Sequence, residues 1–182
     1  MTRTLLYGGS FDPPHIAHVE IPRDAMNFLQ FDHILYVPAS RSPLKDNMPT
    51  SNHHRLEMLK LALADCPWAS ISTIELDRKG TSYTIETIEA IKDEYDELRL
   101  LIGADQWEQF NKWRRWEDVI KLANPAIMPR DNLEVSDERV LPIQPITAGS
   151  TDIRRLIQDG KSIEELVLPT VAQYIAEHQL YL

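Results

Sequence analysis

The stretch YGGSFDPPHIAH, residues 7–18, joins an apolar run to a segment with helical spacing, and this junction decides the fold. The residues up to Gly9 read as a buried strand that ends at a turn, and those from about His18 onward read as a helix. Gly8 and Gly9 lack a Cβ, so the backbone there can approach a ligand closely. The helix directs its free N–H groups and its positive dipole end to the same place. Because anions bind at such helix starts, the junction predicts a phosphate site.

Two histidines, His15 and His18, lie one helical turn apart and can aim two imidazoles at one point. A His-x-x-His pair by itself is common and usually has no function. It could also be half of a metal site, but no third ligand with suitable spacing stands out. The stretch is neither a P-loop nor a dinucleotide fingerprint, because G-x-x-x-x-G-K-[ST] and G-x-G-x-x-G are both absent. The pair is stronger evidence for a phosphate site here, because it follows a strand and the segment Gly-Gly-Ser-Phe-Asp-Pro.

Working outward, extended runs and helical patterns alternate about five times along the chain. The further extended runs are HILYVPA, ASISTIEL, LRLLIGAD, PAIMPR and RVLPIQPI. Helical spacing occurs in AHVEIPRDAMNFLQF, HHRLEMLKLALAD, TIETIEAIKDEY, WEQFNKWRRWEDVIKLA, STDIRRLIQDG and PTVAQYIAEHQL, and Thr84 is predicted to cap the third of these helices. The alternation predicts an α/β fold: a Rossmann-like domain with a parallel sheet of about five or six strands and helices on both faces. We expect one domain over residues 1–182, with a small helical portion at about 150–182.

Composition narrows the classes of partner. The 182 residues carry a net charge of −9, so a general nucleic-acid surface is not expected, whereas a few cations in one cleft could still bind a small anion. No apolar run approaches the length of a membrane helix. The first residues lack the apolar segment of a signal peptide, and Cys66 has no second cysteine to pair with. We therefore expect a reduced, cytoplasmic protein without a membrane or nucleic-acid partner; a homo-oligomer is compatible with the sequence.

Several segments resemble a known family. GGSFDPPHIAH is similar to the G-x-F-D-P-x-H-x-G-H signature of the nucleotidyltransferase superfamily, with Ala17 at a usual glycine. GSTDIRR, residues 149–155, is similar to its S/T-x-x-R motif, with Gly149 at a usual serine. Ser150 or Thr151 is expected to cap this helix while its N–H groups hold phosphate; by itself the segment would be a capped helix with a surface arginine. Five further segments of the chain resemble bacterial nicotinate-mononucleotide adenylyltransferases. They are VPASRSPLK, HRLEMLKLAL, RKGTSYTIETIEAIK, LLIGADQWEQFNKWRRWEDVI and LVLPTVAQYIAEHQLY. The shorter pantetheine-phosphate adenylyltransferases share the first motif but lack GTSYTIET.

The resemblance implies a reaction in NAD biosynthesis. ATP would transfer its adenylyl group to nicotinate mononucleotide, giving nicotinate adenine dinucleotide and pyrophosphate, with Mg²⁺ carried by the ATP. Two alternatives stay open: an enzyme that prefers nicotinamide mononucleotide, and a non-catalytic nucleotide-binding module of the same fold. Ala17 and Gly149 keep the second alternative open. A tRNA synthetase core does not fit the length of the chain.

The resemblance also assigns residues to roles. The catalytic set comprises His15, His18, Lys45 and Arg154. The ATP-binding set comprises Gly8, Gly9, Ser10, Phe11, Gly103, Asp105, Ser150 and Thr151. The mononucleotide would contact Tyr83, Thr84, Trp113 and Arg130, with the tryptophan stacked on the pyridine ring. Trp107 and Trp116 are interpreted as packing residues.

Overall fold

The computed structural model describes residues 2–40, 50–78, 80–131 and 133–182. In this part of the chain five strands form: β1 (Arg3–Gly9), β2 (His33–Pro38), β3 (Ala69–Ile71), β4 (Glu97–Gly103) and β5 (Ala126–Met128). The α-helices are α1 (Ile16–Leu29), α2 (Asn52–Ala62), α3 (Ile74–Asp77), α4 (Thr84–Ile91), α5 (Ala104–Trp107), α6 (Trp116–Ala123), α7 (Ser150–Gln158) and α8 (Pro169–Glu177). Short 3₁₀ turns cover Lys92–Glu94 and Phe110–Lys112.

The five strands form one parallel sheet in the order β3-β2-β1-β4-β5. Successive side chains of a strand point to opposite faces, so Leu5 belongs to an apolar cluster that includes residues of α1, α2, α7 and α8, while Leu6 belongs to a second cluster with residues of α4 and α6. Both faces are therefore covered by helices, which buries apolar runs that show no alternation. The predicted α/β fold with a parallel sheet is confirmed, with five strands.

The structure corrects two of the predicted extended segments. The run ASISTIEL was expected to be one strand, but the strand ends at Ile71 and α3 begins at Ile74, so that the Glu75 side chain turns into a buried hydrogen bond with Thr87. The run RVLPIQPI forms an isolated bridge between Val140 and Ile127 and is not a strand. Its prolines have no N–H to donate to a ladder.

A buried tyrosine replaces the hydrogen bond that Pro22 removes from the interior of α1. Proline has no N–H, so the carbonyl of His18, four residues earlier, loses its usual helical partner. The hydroxyl of Tyr36 on β2 donates to this carbonyl at 2.9 Å. The helical turn that carries His18 is thereby attached to the central part of the sheet. No helix in the described ranges is long and apolar enough to cross a membrane.

Candidate active site

A cavity of about 1030 Å³ opens at the carboxyl ends of β1 and β4. These two strands are neighbours in the middle of the sheet, with β2 and β3 on one side and β5 on the other. The chain therefore winds in opposite directions from this point, and a parallel sheet binds ligands in the crevice outside such a switch point. The topology alone makes this cavity the expected ligand site.

The structure brings the predicted site residues together around this cavity. Fifteen of the sixteen line it: Gly8, Gly9, Ser10, Phe11, His15, His18, Tyr83, Thr84, Gly103, Asp105, Trp113, Arg130, Ser150, Thr151 and Arg154. The sixteenth, Lys45, lies outside the described residues. This placement agrees with the predicted assignments, although the role of each residue stays a prediction.

His15 and His18 stand at the start of α1 with their rings stacked, 3.6 Å between centroids. The backbone N–H of His15 donates to Nδ1 of His18 at 3.2 Å, which places the proton of the His18 ring on Nε2. His15 is 5% exposed, and its Nδ1 is buried without a hydrogen-bond partner among the described residues. A buried polar atom without a partner is rare and calls for an explanation. A phosphate oxygen in the cavity would supply one.

Burial, together with the positive charge of Arg130, lowers the pKa of His15 to about 4. We predict that NMR titration of the free protein will show His15 neutral at pH 7, with a transition near pH 4. A bound triphosphate favours the charged imidazole, so MgATP should move this transition to higher pH. The unfolded chain takes up a proton near pH 6.5, so the free energy of unfolding should decrease as the pH falls from about 6.5 towards 4. A free-protein transition near pH 6.5 would contradict this prediction.

Two carbonyls in the loop after β1 hold the start of α7 against the start of α1. Arg154 Nη1 donates to the carbonyl of Asp12 at 2.7 Å, and Ser150 Oγ donates to the carbonyl of Pro13 at 2.9 Å. Ser150 or Thr151 was expected to cap α7, but that prediction is wrong: Gly149 is the N-cap. The serine hydroxyl is used to dock the helix and not to cap it.

Arg130 follows β5 and lies beside the start of α7. Its Nη1 is 2.7 Å from Oδ2 of Asp105, and its Nη2 would be 3.6 Å from a Cβ built on Gly149. That Cβ would also lie 3.2 Å from the Asp152 carboxylate, and this exposed side chain could move aside for it, so packing does not require glycine here. We call the part of the cavity formed by His15, His18, Arg130 and Arg154 the α1–α7 side; two imidazoles and two guanidiniums make it suited to anions.

The opposite wall, which we call the α4 side, is formed by Tyr83, Thr84 and Trp113. Tyr83, and not Thr84 as expected, is the N-cap of α4. Its ring is covered by the Arg114 guanidinium at 4.8 Å, and Trp113 packs against Phe110 with ring centroids 5.0 Å apart. An aromatic face beside free helical N–H groups can bind a flat ring that carries an acceptor.

Gly9 is required by close packing in the loop after β1. A Cβ at this position would lie 2.9 Å from the ring of Phe11, which is fully buried against Tyr7 and Tyr36. Phe11 itself has a left-handed backbone, with φ of 49°. Packing of these side chains therefore holds the loop in its shape.

Sequence reasoning missed Arg55, which is 0% exposed on α2. Its guanidinium donates to the carbonyls of Ser10 at 2.7 Å, Thr50 at 3.0 Å and Ser40 at 3.4 Å. It therefore joins the loop after β1 to the loop after β2. A signal was available, because Arg55 falls on the apolar stripe that contains Met58, Leu59 and Ala62.

Sequence reasoning also missed Glu75, a carboxylate on the cavity wall that is 7% exposed. Its Oε1 accepts from the Thr87 hydroxyl at 2.7 Å, and the hydroxyl of Ser82 also hydrogen-bonds to it. Burial raises the pKa of Glu75 above its ordinary value. Ser82 Oγ in turn accepts from the backbone N–H of Ser40. This chain of bonds holds the segment before α4 in place.

Comparison with known proteins shows the family to which the chain belongs. Residues 6–156 match the model of the cytidylyltransferase-like family. A protein of Herpetosiphon aurantiacus is 35% identical over 100% of both chains, and one of Hydrogenobaculum sp. is 36% identical over 96% of both. Each is named "Probable nicotinate-nucleotide adenylyltransferase".

Solved structures share the fold. Plasmodium falciparum nicotinic acid mononucleotide adenylyltransferase complexed with NaAD superposes with a TM-score of 0.82 at 19% identity, covering 100% of this chain and 98% of that one. The same enzyme complexed with APC gives a TM-score of 0.81 with the same coverage. At this identity the likeness supports the architecture, whereas the full-length relatives support the grouping. The chain belongs to the cytidylyltransferase-like family, within the group of proteins named nicotinate-nucleotide adenylyltransferases.

Proposed function

We propose that the protein transfers the adenylyl group of ATP to nicotinate mononucleotide, giving nicotinate adenine dinucleotide and pyrophosphate. The observation that carries the proposal is the α1–α7 side of the cavity. Two stacked imidazoles at one helix start and Arg154 at another line the same space, and a buried His15 nitrogen there has no partner among the described residues. The names of the full-length relatives support the choice of this reaction within the family.

The reaction needs positioned charge more than proton transfer. An oxygen of the mononucleotide phosphate attacks the α-phosphorus of ATP, and the bond from that phosphorus to the bridging oxygen of the β-phosphate breaks. The attacking phosphate is largely ionised at neutral pH, so no general base is required. The His18 Nε2–H and the neutral His15 ring would hydrogen-bond phosphoryl oxygens, and Arg154 would hold the pyrophosphate that leaves.

Mg²⁺ is proposed to enter the site with the triphosphate. The α1–α7 side offers imidazoles and guanidiniums, whereas Mg²⁺ prefers oxygen ligands such as phosphate and water. Among the described residues, no group of three or more His, Cys, Asp or Glu side chains is placed to hold a metal ion. When bound to the triphosphate, the ion would offset the charge of the pyrophosphate. Lys45 is proposed to lie near the reacting phosphates.

A direct assay tests the proposed reaction. The protein is incubated with MgATP and either nicotinate or nicotinamide mononucleotide, and pyrophosphate release is followed with identification of the dinucleotide by mass spectrometry. We expect pyrophosphate and nicotinate adenine dinucleotide in equal amounts. If ATP binds but neither mononucleotide is consumed, the chain is a non-catalytic nucleotide-binding module.

We predict that nicotinate mononucleotide is preferred by at least about tenfold in kcat/KM. The N–H groups at the start of α4 pair fully with a carboxylate, whereas an amide would direct an NH₂ group at them. Each unpaired buried group costs about 1–3 kcal/mol, which is about 5- to 150-fold. Glu75 lines the same cavity, and its carboxylate accepts from Thr87 and Ser82 but has further acceptor sites, so an amide that reached it would reduce this preference.

Substitution of the stacking residue provides the control for this preference. Trp113→Ala should weaken both mononucleotides to a similar extent, because either pyridine ring can stack on the indole. Equal kcat/KM values for the two mononucleotides in the unaltered protein would contradict the donor-pocket argument while leaving adenylyl transfer intact.

A further inference from the structure

We propose that Tyr181, which follows α8, is a positioning residue for the α1–α7 side of the cavity and acts on ATP through Asp12 and Arg154. The inference builds on the proposed function, since it assigns a new residue to the triphosphate region of that site. Its basis is a set of hydrogen bonds that converge on Asp12 from three distant parts of the chain.

Asp12 is buried in the loop after β1 and is held at three of its oxygen atoms. Its carbonyl accepts from Arg154 Nη1 at 2.7 Å, its Oδ2 from the backbone N–H of Thr50 at 3.0 Å, and its Oδ1 from the Tyr181 hydroxyl at 2.6 Å. The first bond fixes the guanidinium proposed to hold phosphate. The other two fix the residue that provides this carbonyl. A change at Tyr181 therefore reaches Arg154 through one intervening residue.

The Tyr181 hydroxyl acts as a hydrogen-bond donor throughout the working pH range. Burial and the nearby charge of Asp12 both raise the pKa of this phenol well above its ordinary value. A phenol that donates to a carboxylate makes a stronger bond than one that donates to a neutral group. The Asp12 carboxylate is also close to the buried guanidinium of Arg55. The hydrogen bond from the Tyr181 hydroxyl to the Asp12 carboxylate is thus charge-assisted and lies inside the wall of the cavity.

The backbone after α8 turns back and brings this phenol to the cavity. Gln179 and Tyr181 have φ values of 50° and 67°, in the left-handed region that residues other than glycine seldom adopt. The two left-handed residues turn the chain back from α8 toward the loop after β1. The Tyr181 side chain lines the cavity together with Asp12 and Arg154. The left-handed Gln179 is an ordinary helix end, because it and the next residue donate back to carbonyls in the last turn of α8, so only the conformation at Tyr181 is not explained by the end of the helix.

Tyr181→Phe removes the hydroxyl and keeps the ring, so it isolates the hydrogen bond. We expect KM for ATP to rise about three- to tenfold. Asp12 loses the hydrogen bond from Tyr181, so its carbonyl holds the Arg154 guanidinium less firmly. The KM for the mononucleotide should change little, whereas the melting temperature should fall by several degrees, because the buried Asp12 Oδ1 loses its donor. Tyr174→Phe is the matched control, since Tyr174 lies on α8 and its hydroxyl contacts His54 away from the cavity.

A double-variant cycle tests the route through Arg154. If Tyr181 acts by positioning Arg154, Tyr181→Phe should have little further effect on KM for ATP in an Arg154→Ala background. The inference would be overturned by an unchanged KM for ATP in Tyr181→Phe. It would also be overturned if Tyr181→Phe raised this KM by the same factor in the unaltered protein and in the Arg154→Ala background. Calorimetry with a non-hydrolysable ATP analogue repeats the comparison without turnover. A protein with no adenylyl transfer would refute the proposed function, while the calorimetric comparison would still decide the role of Tyr181.

Discussion

His18→Ala is expected to lower kcat by about 100-fold or more, which is the usual effect of removing one donor to a developing phosphoryl charge. His18 lies at the start of α1, stacks on His15 and lines the cavity. Its proton is on Nε2 because Nδ1 accepts from the backbone N–H of His15. The measurement is steady-state pyrophosphate release, with circular dichroism to establish that the variant is folded.

Two further variants separate the donor role of His18 from its role at the helix start. His18→Asn can still accept from the N–H of His15 but cannot place a donor where Nε2 was, so it should keep the melting temperature and lose the rate. His33→Ala is the control for the loss of a histidine elsewhere, because His33 lies at the start of β2 and contacts Ser70 on the neighbouring strand β3, away from the cavity. A near-normal kcat in His18→Ala would refute the phosphate role.

Arg154→Ala is expected to lower kcat/KM for ATP on the order of 100-fold. The guanidinium is fixed by the Asp12 carbonyl and by Thr151 Oγ1 at the start of α7, so it faces the cavity with its orientation already set. A planar donor group binds phosphate oxygens in pairs, and a lysine ammonium does not. Arg154→Lys should therefore recover only part of the loss.

The neighbouring arginine provides a matched control for this change. Arg155 is on the same helix, is exposed, and pairs with Asp152 at 3.2 Å. Arg155→Ala removes the same charge from the same helix and should leave ATP kinetics within about twofold, as exposed pairs contribute little. If Arg154→Ala and Arg155→Ala behave alike, Arg154 is a surface residue and the anion site must be sought elsewhere in the cavity.

Much of the site could be predicted because its residues sit where local patterns change. Gly8, Gly9 and His18 mark the end of a strand and the start of a helix, and such junctions meet at the carboxyl edge of a parallel sheet. Arg154 was assigned by the resemblance, and its helix start lies at the same edge. The site predictions that were wrong concern capping: the Ser150 hydroxyl bonds to the loop after β1 instead of to its own helix, and α4 is capped one residue earlier than Thr84.

The sequence by itself determined the alternation of strands and helices, the α/β class and the phosphate-binding junction after β1, because these follow from spacing over a few residues, whereas the other site residues were assigned by the resemblance to a family. Only the tertiary structure decided how the site is supported. Tyr181 bonds to Asp12 from 169 residues away, and Arg154 from 142 residues away. Arg55 is visible in the sequence only as a charge on an apolar helical stripe, and Glu75 falls in a run that was predicted to be a strand; folding buries both among acceptors and donors from other segments. Such contacts leave no periodic signal, since a buried charge takes its partners from whichever segments the packed fold brings beside it.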